Sequence, residues 1–132
     1  MTQLLIVTAD PPRFADMSAE IEKQGAAVRW ASSGSRALEL LGHHVIDLVV
    51  ADENLGDMTG LTLITQLVTV NPMINTAAVS SLSEDAYHTI SEGLGILMQL
   101  PPAPNRSDGQ RLMAHLNRIL NSTVASQHEA KR

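Results

Sequence analysis

The stretch IDLVVADENLGDMTG, Ile46 to Gly60, decides how the rest of the chain is read. Its first half, Leu48-Val49-Val50-Ala51, is a short apolar run rich in β-branched residues. It is too short for a helix and lacks the polar alternation of a half-exposed strand, so it predicts a strand buried on both faces. The run stops at Asp52, and loop formers follow: Asn54, Gly56, Asp57 and Gly60. In an open parallel sheet, chemistry sits just outside the carboxyl ends of the strands. Asp52 occupies that place.

Working outward, Leu4 to Val7 predicts the first strand, and Asp10-Pro11-Pro12 a helix start with Asp10 as N-cap and Pro11 at the first helical position. Phe14, Met17 and Ile21 form that helix's buried stripe, and Gly25 ends it. Ala26 to Ala31 reads as an edge strand. Ser32 to Ser35 opens the second helix, buried through Ala37, Leu38 and Leu41, and Gly42 stops it. A helix from about Gly60 to Val70 carries Leu61, Ile64, Leu67 and Val68; its threonines are mediocre helix formers, so packing must hold it. Ala77 to Val79 is the fourth strand. Ser81-x-x-Glu84 predicts a capping box for a helix through about Glu92. Ile96 to Leu100 is the fifth strand. Ser107-x-x-Gln110 predicts a second box, opening a helix buried through Leu112, Met113, Leu116, Ile119 and Leu120.

Strand and helix thus alternate five times. That predicts an α/β domain, a doubly wound parallel sheet covered on both faces, with strand order 2-1-3-4-5 and five helices. The domain is expected over 1–121. Residues 122–132 lack apolar periodicity and read as a fraying polar tail or linker.

Composition narrows the function. With 132 residues and 44% apolar content, one core is expected. The absence of cysteine excludes disulfides, thiolate metal sites and cysteine nucleophiles. A net charge of −5 and only three aromatics, Phe14, Trp30 and Tyr87, argue against nucleic-acid binding. No apolar run reaches membrane-spanning length and no basic leader precedes Leu4, so a cytoplasmic location is expected. His43, His44, His88 and His115 have no metal-ligand partners at useful spacing and read as surface residues. Glu53, next to Asp52, is expected to point away from it. Met58 reads as a loop anchor.

The chain resembles the receiver domain of bacterial two-component response regulators over about Gln3 to Leu120. That family has a phospho-accepting aspartate at the end of strand three, which Asp52 matches. In the loop that follows, Leu55, Met58 and Gly60 match the family pattern, while Gly56 replaces a proline. Ser80 matches the family's hydroxyl residue after strand four. The resemblance implies a flavodoxin-like fold without enzymatic activity, with Asp52, Asn54 and more weakly Asp10 as metal positions.

Several positions depart from the family pattern. Its two adjacent Mg²⁺-holding acids fall at Thr8 and Ala9, its lysine at Leu100 and its aromatic switch residue at Leu97. Phosphoryl transfer to a carboxylate relies on charge neutralisation and positioning. The only lysines, Lys23 and Lys131, lie far from the site in the sequence pattern. Two readings follow. The first is a degenerate receiver, or pseudo-receiver, working through protein partners with impaired or absent phosphorylation and no cofactor. The second is a conventional receiver phosphorylated at Asp52 by a histidine kinase, with Mg²⁺ in an atypical site. A flavin or nucleotide binder ranks last, because Thr8 to Pro12 contains no glycine to cradle a phosphate.

The resemblance further implies partners such as a histidine kinase or an output domain. It also implies a homodimer face on helix four, strand five and helix five, where Glu84, Asp85 and Glu92 mix with Arg106, Arg111 and Arg118. By the same resemblance, the Leu100–Pro101 bond is expected to be cis.

Overall fold

In the computed structural model, residues 1–130 are described, with the backbone alone from 122 onward. Strands β1 (Gln3–Val7), β2 (Ala27–Ala31), β3 (Leu48–Ala51), β4 (Asn75–Val79) and β5 (Met98–Leu100) are all parallel. They lie in the order β2-β1-β3-β4-β5, as the alternating pattern predicts. Helices α1 (Ala15–Lys23), α2 (Gly34–Leu41), α3 (Gly60–Val70), α4 (Glu84–Ser91) and α5 (Arg106–Ala130) connect and close the sheet.

Successive strand residues point to opposite faces, and the core divides accordingly. Leu4, Ile6, Leu48, Val50, Ala77 and Val79 pack with Phe14, Met17, Ile21, Leu112, Met113 and Leu116. Leu5, Val7, Val49, Ala51 and Ala78 pack with Ala37, Leu63, Ile64, Leu67 and Tyr87. Both faces of β1 and β3 are therefore dry, which is why these strands read as unbroken apolar runs. Each fully buried leucine or isoleucine contributes roughly 1.5–3 kcal/mol of transfer free energy. Leu63 of α3 is buried although it falls outside the expected stripe of that helix, and Ile119 of α5 is 36% exposed although the expected stripe of α5 includes it.

The helix starts differ most from expectation. Asp10 makes no side-chain cap: the two prolines lead into a 3-10 turn, Pro11–Phe14, and α1 begins only at Ala15. The α4 cap is Ser83, which accepts from the Ala86 N–H. Ser81, expected in that role, lies two residues earlier and donates its hydroxyl to Glu53. At α5 the capping box is Asn105 with Asp108: Asn105 Oδ1 accepts from the Asp108 N–H at 3.0 Å, and Asp108 Oδ2 accepts from the Asn105 N–H at 2.9 Å. Gln110 instead donates to Glu20 across the α1–α5 contact.

The Leu100–Pro101 bond is trans, correcting the cis expectation. Trans is the lower-energy isomer by about 0.5–1 kcal/mol, and with it the loop already delivers the Pro102 carbonyl to Arg13. β5 is also shorter than expected, beginning at Met98. The backbone of α5 continues past residue 121 to Ala130, into the stretch expected as a tail, and residues 131–132 lie outside the described ones. No helix among the described residues is long and apolar enough to cross a membrane.

Candidate functional site

The order 2-1-3 makes β1 and β3 neighbours whose outgoing loops diverge, opening a crevice at their carboxyl ends. Register pairs Val7 with Ala51, and the ladder continues through the Asp52 N–H to the Val7 carbonyl. The next side chains on the two strands, Thr8 and Asp52, therefore meet. Both are buried.

Every polar contact of the Asp52 carboxylate is internal. Oδ2 accepts the Thr8 hydroxyl at 2.7 Å. Oδ1 accepts from Arg13 Nη2 at 2.8 Å and from the Glu53 N–H at 2.7 Å. Three of its roughly four lone-pair sites are thus taken. Thr8 Oγ1 also accepts from the Asp10 N–H, while the Asp10 residue itself is exposed. Arg13 comes from the 3-10 turn, lies over the Phe14 ring and donates from Nε to the Pro102 carbonyl at 2.9 Å. One guanidinium therefore joins the loops after β1, β3 and β5.

Glu53 points away from Asp52, and it has a definite target. Its Oε2 accepts from the Ser81 N–H and the Ser81 hydroxyl, each at 3.1 Å, and from the Ser80 hydroxyl at 3.5 Å. Between these two carboxylate arrangements lies a shallow cleft of about 330 Å³, lined by Arg13, Asp52, Glu53, Asn54, Pro102 and neighbours.

The loop after Asp52 is fixed by its own chemistry. Asn54 Oδ1 accepts from the Gly56 N–H at 3.0 Å. Gly56 has φ +87°, a left-handed value closed to proline, so the proline of the family pattern cannot stand there in this conformation. Asp57 reaches α2, accepting from the N–H groups of Gly34 and Ser35 and from the Ser35 hydroxyl. The Ser35 and Gly34 backbone donors hold its carboxyl below the usual aspartate range. Met58 anchors the loop against Gly34, where any Cβ would collide with its side chain. At Gly60 a Cβ would stand 2.2 Å from the Asp52 carbonyl oxygen.

Of the residues singled out from sequence, Asp52 and Asn54 come together in the cleft, while Ser80 lines a neighbouring depression and reaches Glu53. Leu100 lies in neither: it is fully buried in the α1–α5 core, and Leu97 packs against that same core. Asp52 and Asn54 already have partners within the chain, and Asp10 is exposed. A guanidinium already occupies Asp52, Asn54 Oδ1 is folded onto its own loop, and among the described residues no three His, Cys, Asp or Glu cluster to hold a metal. Arg13 escaped sequence reasoning because only lysines were weighed as the missing cation. Its signal was its place: a basic residue in the loop directly after β1.

The family profile described as response regulator receiver domain matches residues 4–100. The sensor kinase CckA of Brucella abortus (strain 2308) is 37% identical over 89 residues, 65% of this chain but only 9% of that protein. Solved structures share the fold. A CheY-like receiver domain protein from Methanospirillum hungatei JF-1 superposes with a TM-score of 0.79 at 19% identity, covering 92% of this chain and 98% of that one. A two-component response regulator from Clostridium difficile gives 0.80 at 19% identity, covering 92% and 99%. A response regulator protein from Burkholderia pseudomallei, solved with a phosphorylated aspartic acid, calcium ion and citrate, gives 0.73 at 20% identity, covering 100% and 76%. With its 2-1-3-4-5 sheet and Asp52 at the end of β3, the chain belongs to the response regulator receiver domain family.

Proposed function

We propose that this chain is a receiver-like signalling module of a two-component or phosphorelay system. In this reading it acts through protein–protein contact, with phosphorylation of Asp52 impaired or absent, and it is not an enzyme. One observation carries the reading: Arg13 and Thr8 hold both oxygens of Asp52. A phosphoryl group on Asp52 would bring several negative oxygens into the cleft, and their neutralisation would fall to a single tethered guanidinium. Mg²⁺ demands near-octahedral oxygen coordination. The positions where the family keeps two acids offer a hydroxyl already donated to Asp52 and an alanine methyl, so no cofactor is assigned.

The partners proposed are a histidine kinase or an output domain, in the cytoplasm, without direct nucleic-acid or membrane contact. The docking face proposed is α4, β5 and α5, including a second copy of the chain. It is supported by a groove of about 510 Å³ between α4 and β5, with an apolar floor including Leu97 and an acidic rim of Glu84, Asp85 and Glu92. The alternative, a conventional receiver modified at Asp52, draws on Asp52 lining the cleft.

The deciding experiment is an amide spectrum of the full chain with and without Mg²⁺ and beryllofluoride. No saturable change is expected at Asp52, Ser80 or Leu97. Saturable millimolar shifts running through all three would replace this reading with the conventional one.

A further inference from the structure

Asp52 and Glu53 are adjacent carboxylates that serve different neighbours of β3. Asp52 is held by Thr8 and Arg13, from the loop after β1. Glu53 crosses to the end of β4, where one oxygen, Oε2, collects three donors: the Ser81 N–H, the Ser81 hydroxyl and the Ser80 hydroxyl. Convergence of a backbone N–H and two hydroxyls on one point is a small anion-accepting site. Ser81 lies two residues ahead of Ser83, the residue that caps α4. Ser80 Oγ in turn accepts from the Leu82 N–H at 3.1 Å, so the three donors are part of one ordered turn.

We propose that the Glu53 carboxylate is the resident occupant of an oxyanion site formed by Ser80 and Ser81. It ties the loop after β3 to the loop after β4 and keeps external oxyanions out. This rests on the reading of the module as unresponsive at Asp52, and it supplies a cause separate from Arg13. An entering oxyanion must displace a carboxylate that is tethered beside the site. Charge reinforces the exclusion. Arg13 already balances Asp52, so with Glu53 in place the cleft carries one net negative charge. Removing Glu53 brings it to neutral with three donors exposed.

The test is a titration of the full chain with inorganic phosphate, followed at the backbone amides, for wild type and Glu53→Ala. The variant is expected to give a saturable shift at Ser81 with a Kd on the order of 10 mM, and the wild type none over the same range. Glu53 is exposed, so the fold should survive. If Glu53→Ala is unfolded, Glu53→Gln serves in its place, since it removes the charge and keeps an amide oxygen. Equal shifts in wild type and variant, or none in either, overturn the proposal. Beryllofluoride with Mg²⁺ on the wild type tests the earlier reading separately, because that response centres on Asp52 and needs no change at Glu53.

Discussion

Arg13 Nη2 donates to Asp52 Oδ1 at 2.8 Å, with the arginine side chain 35% exposed and the carboxylate only 5%. The pair is half-buried, so its loss should fall between the near-zero worth of surface pairs and the 3–5 kcal/mol of buried ones. Arg13→Gln is expected to destabilise the fold by about 1–2 kcal/mol in urea unfolding. Arg36→Gln, which breaks the exposed pair with Glu39, should cost at most about 0.5 kcal/mol. Equal effects would mean that Arg13 is only a surface contact.

Gly60 supports Asp52 from behind. Its missing Cβ leaves room for the Asp52 carbonyl, which a methyl would meet at 2.2 Å. Backbone must move, so Gly60→Ala should cost roughly 1–3 kcal/mol and shift the Asp52 amide resonance. Gly42 is the control. Its φ of −75° suits alanine, and its nearest contact is 3.4 Å, so Gly42→Ala should be close to neutral. Thermal unfolding of both variants checks the contrast.

These contacts explain what the sequence could and could not reveal. Alternating apolar runs and helix stripes carry the strand order, because burial on two faces leaves a local pattern in residues such as Leu48 to Ala51. Asp52 was legible for the same reason, as the carboxylate where such a run stops. Arg13 was not, because its partners Asp52 and Pro102 are distant in sequence and only strand register brings them together. The Asp57 cap on α2 is also long-range and leaves no local motif. The capping boxes failed differently. Ser81 and Ser107 fit the pattern, but Ser83 caps α4, and Asn105 with Asp108 formed a box two residues earlier than the one chosen.

At α5 the two candidate boxes make opposite predictions. Asn105→Ala removes the acceptor of the Asp108 N–H and should cost about 1 kcal/mol. Ser107→Ala touches no cap and should stay within about 0.5 kcal/mol. Denaturant midpoints of the two variants decide between them.

Asp57 gives a pH dependence. Its carboxyl is lowered from 3.8 by the Ser35 and Gly34 backbone donors. A group depressed in the folded state stabilises above its unfolded value and loses that contribution as pH falls through its folded value. Wild type should therefore exceed Asp57→Ala in urea midpoint at neutral pH, and the gap should narrow as pH drops below 3.8. A gap constant down to pH values near 2 would mean that the cap works through neutral hydrogen bonding alone.

The last prediction concerns what it takes to restore a metal. Thr8→Asp with Ala9→Asp returns two carboxylates beside Asp52, which is the charge that Mg²⁺ needs. Arg13 would still donate to Asp52 Oδ1 and compete with a cation for that oxygen. The double variant is therefore expected to bind Mg²⁺ weakly, and adding Arg13→Ser should tighten binding at least tenfold, toward a Kd of about 1 mM. Leu100→Lys is left out of this step because Leu100 is fully buried, and a lysine there would disturb the core before it neutralised anything. Mn²⁺ makes a suitable probe, since its paramagnetism broadens amides near the ion. Broadening centred on Asp52 in the triple variant, and at least tenfold weaker in the double, is the expected result. If the double variant binds as tightly as the triple, Arg13 is a bystander that swings aside. The restraint on Asp52 would then come from the missing acids at Thr8 and Ala9 alone.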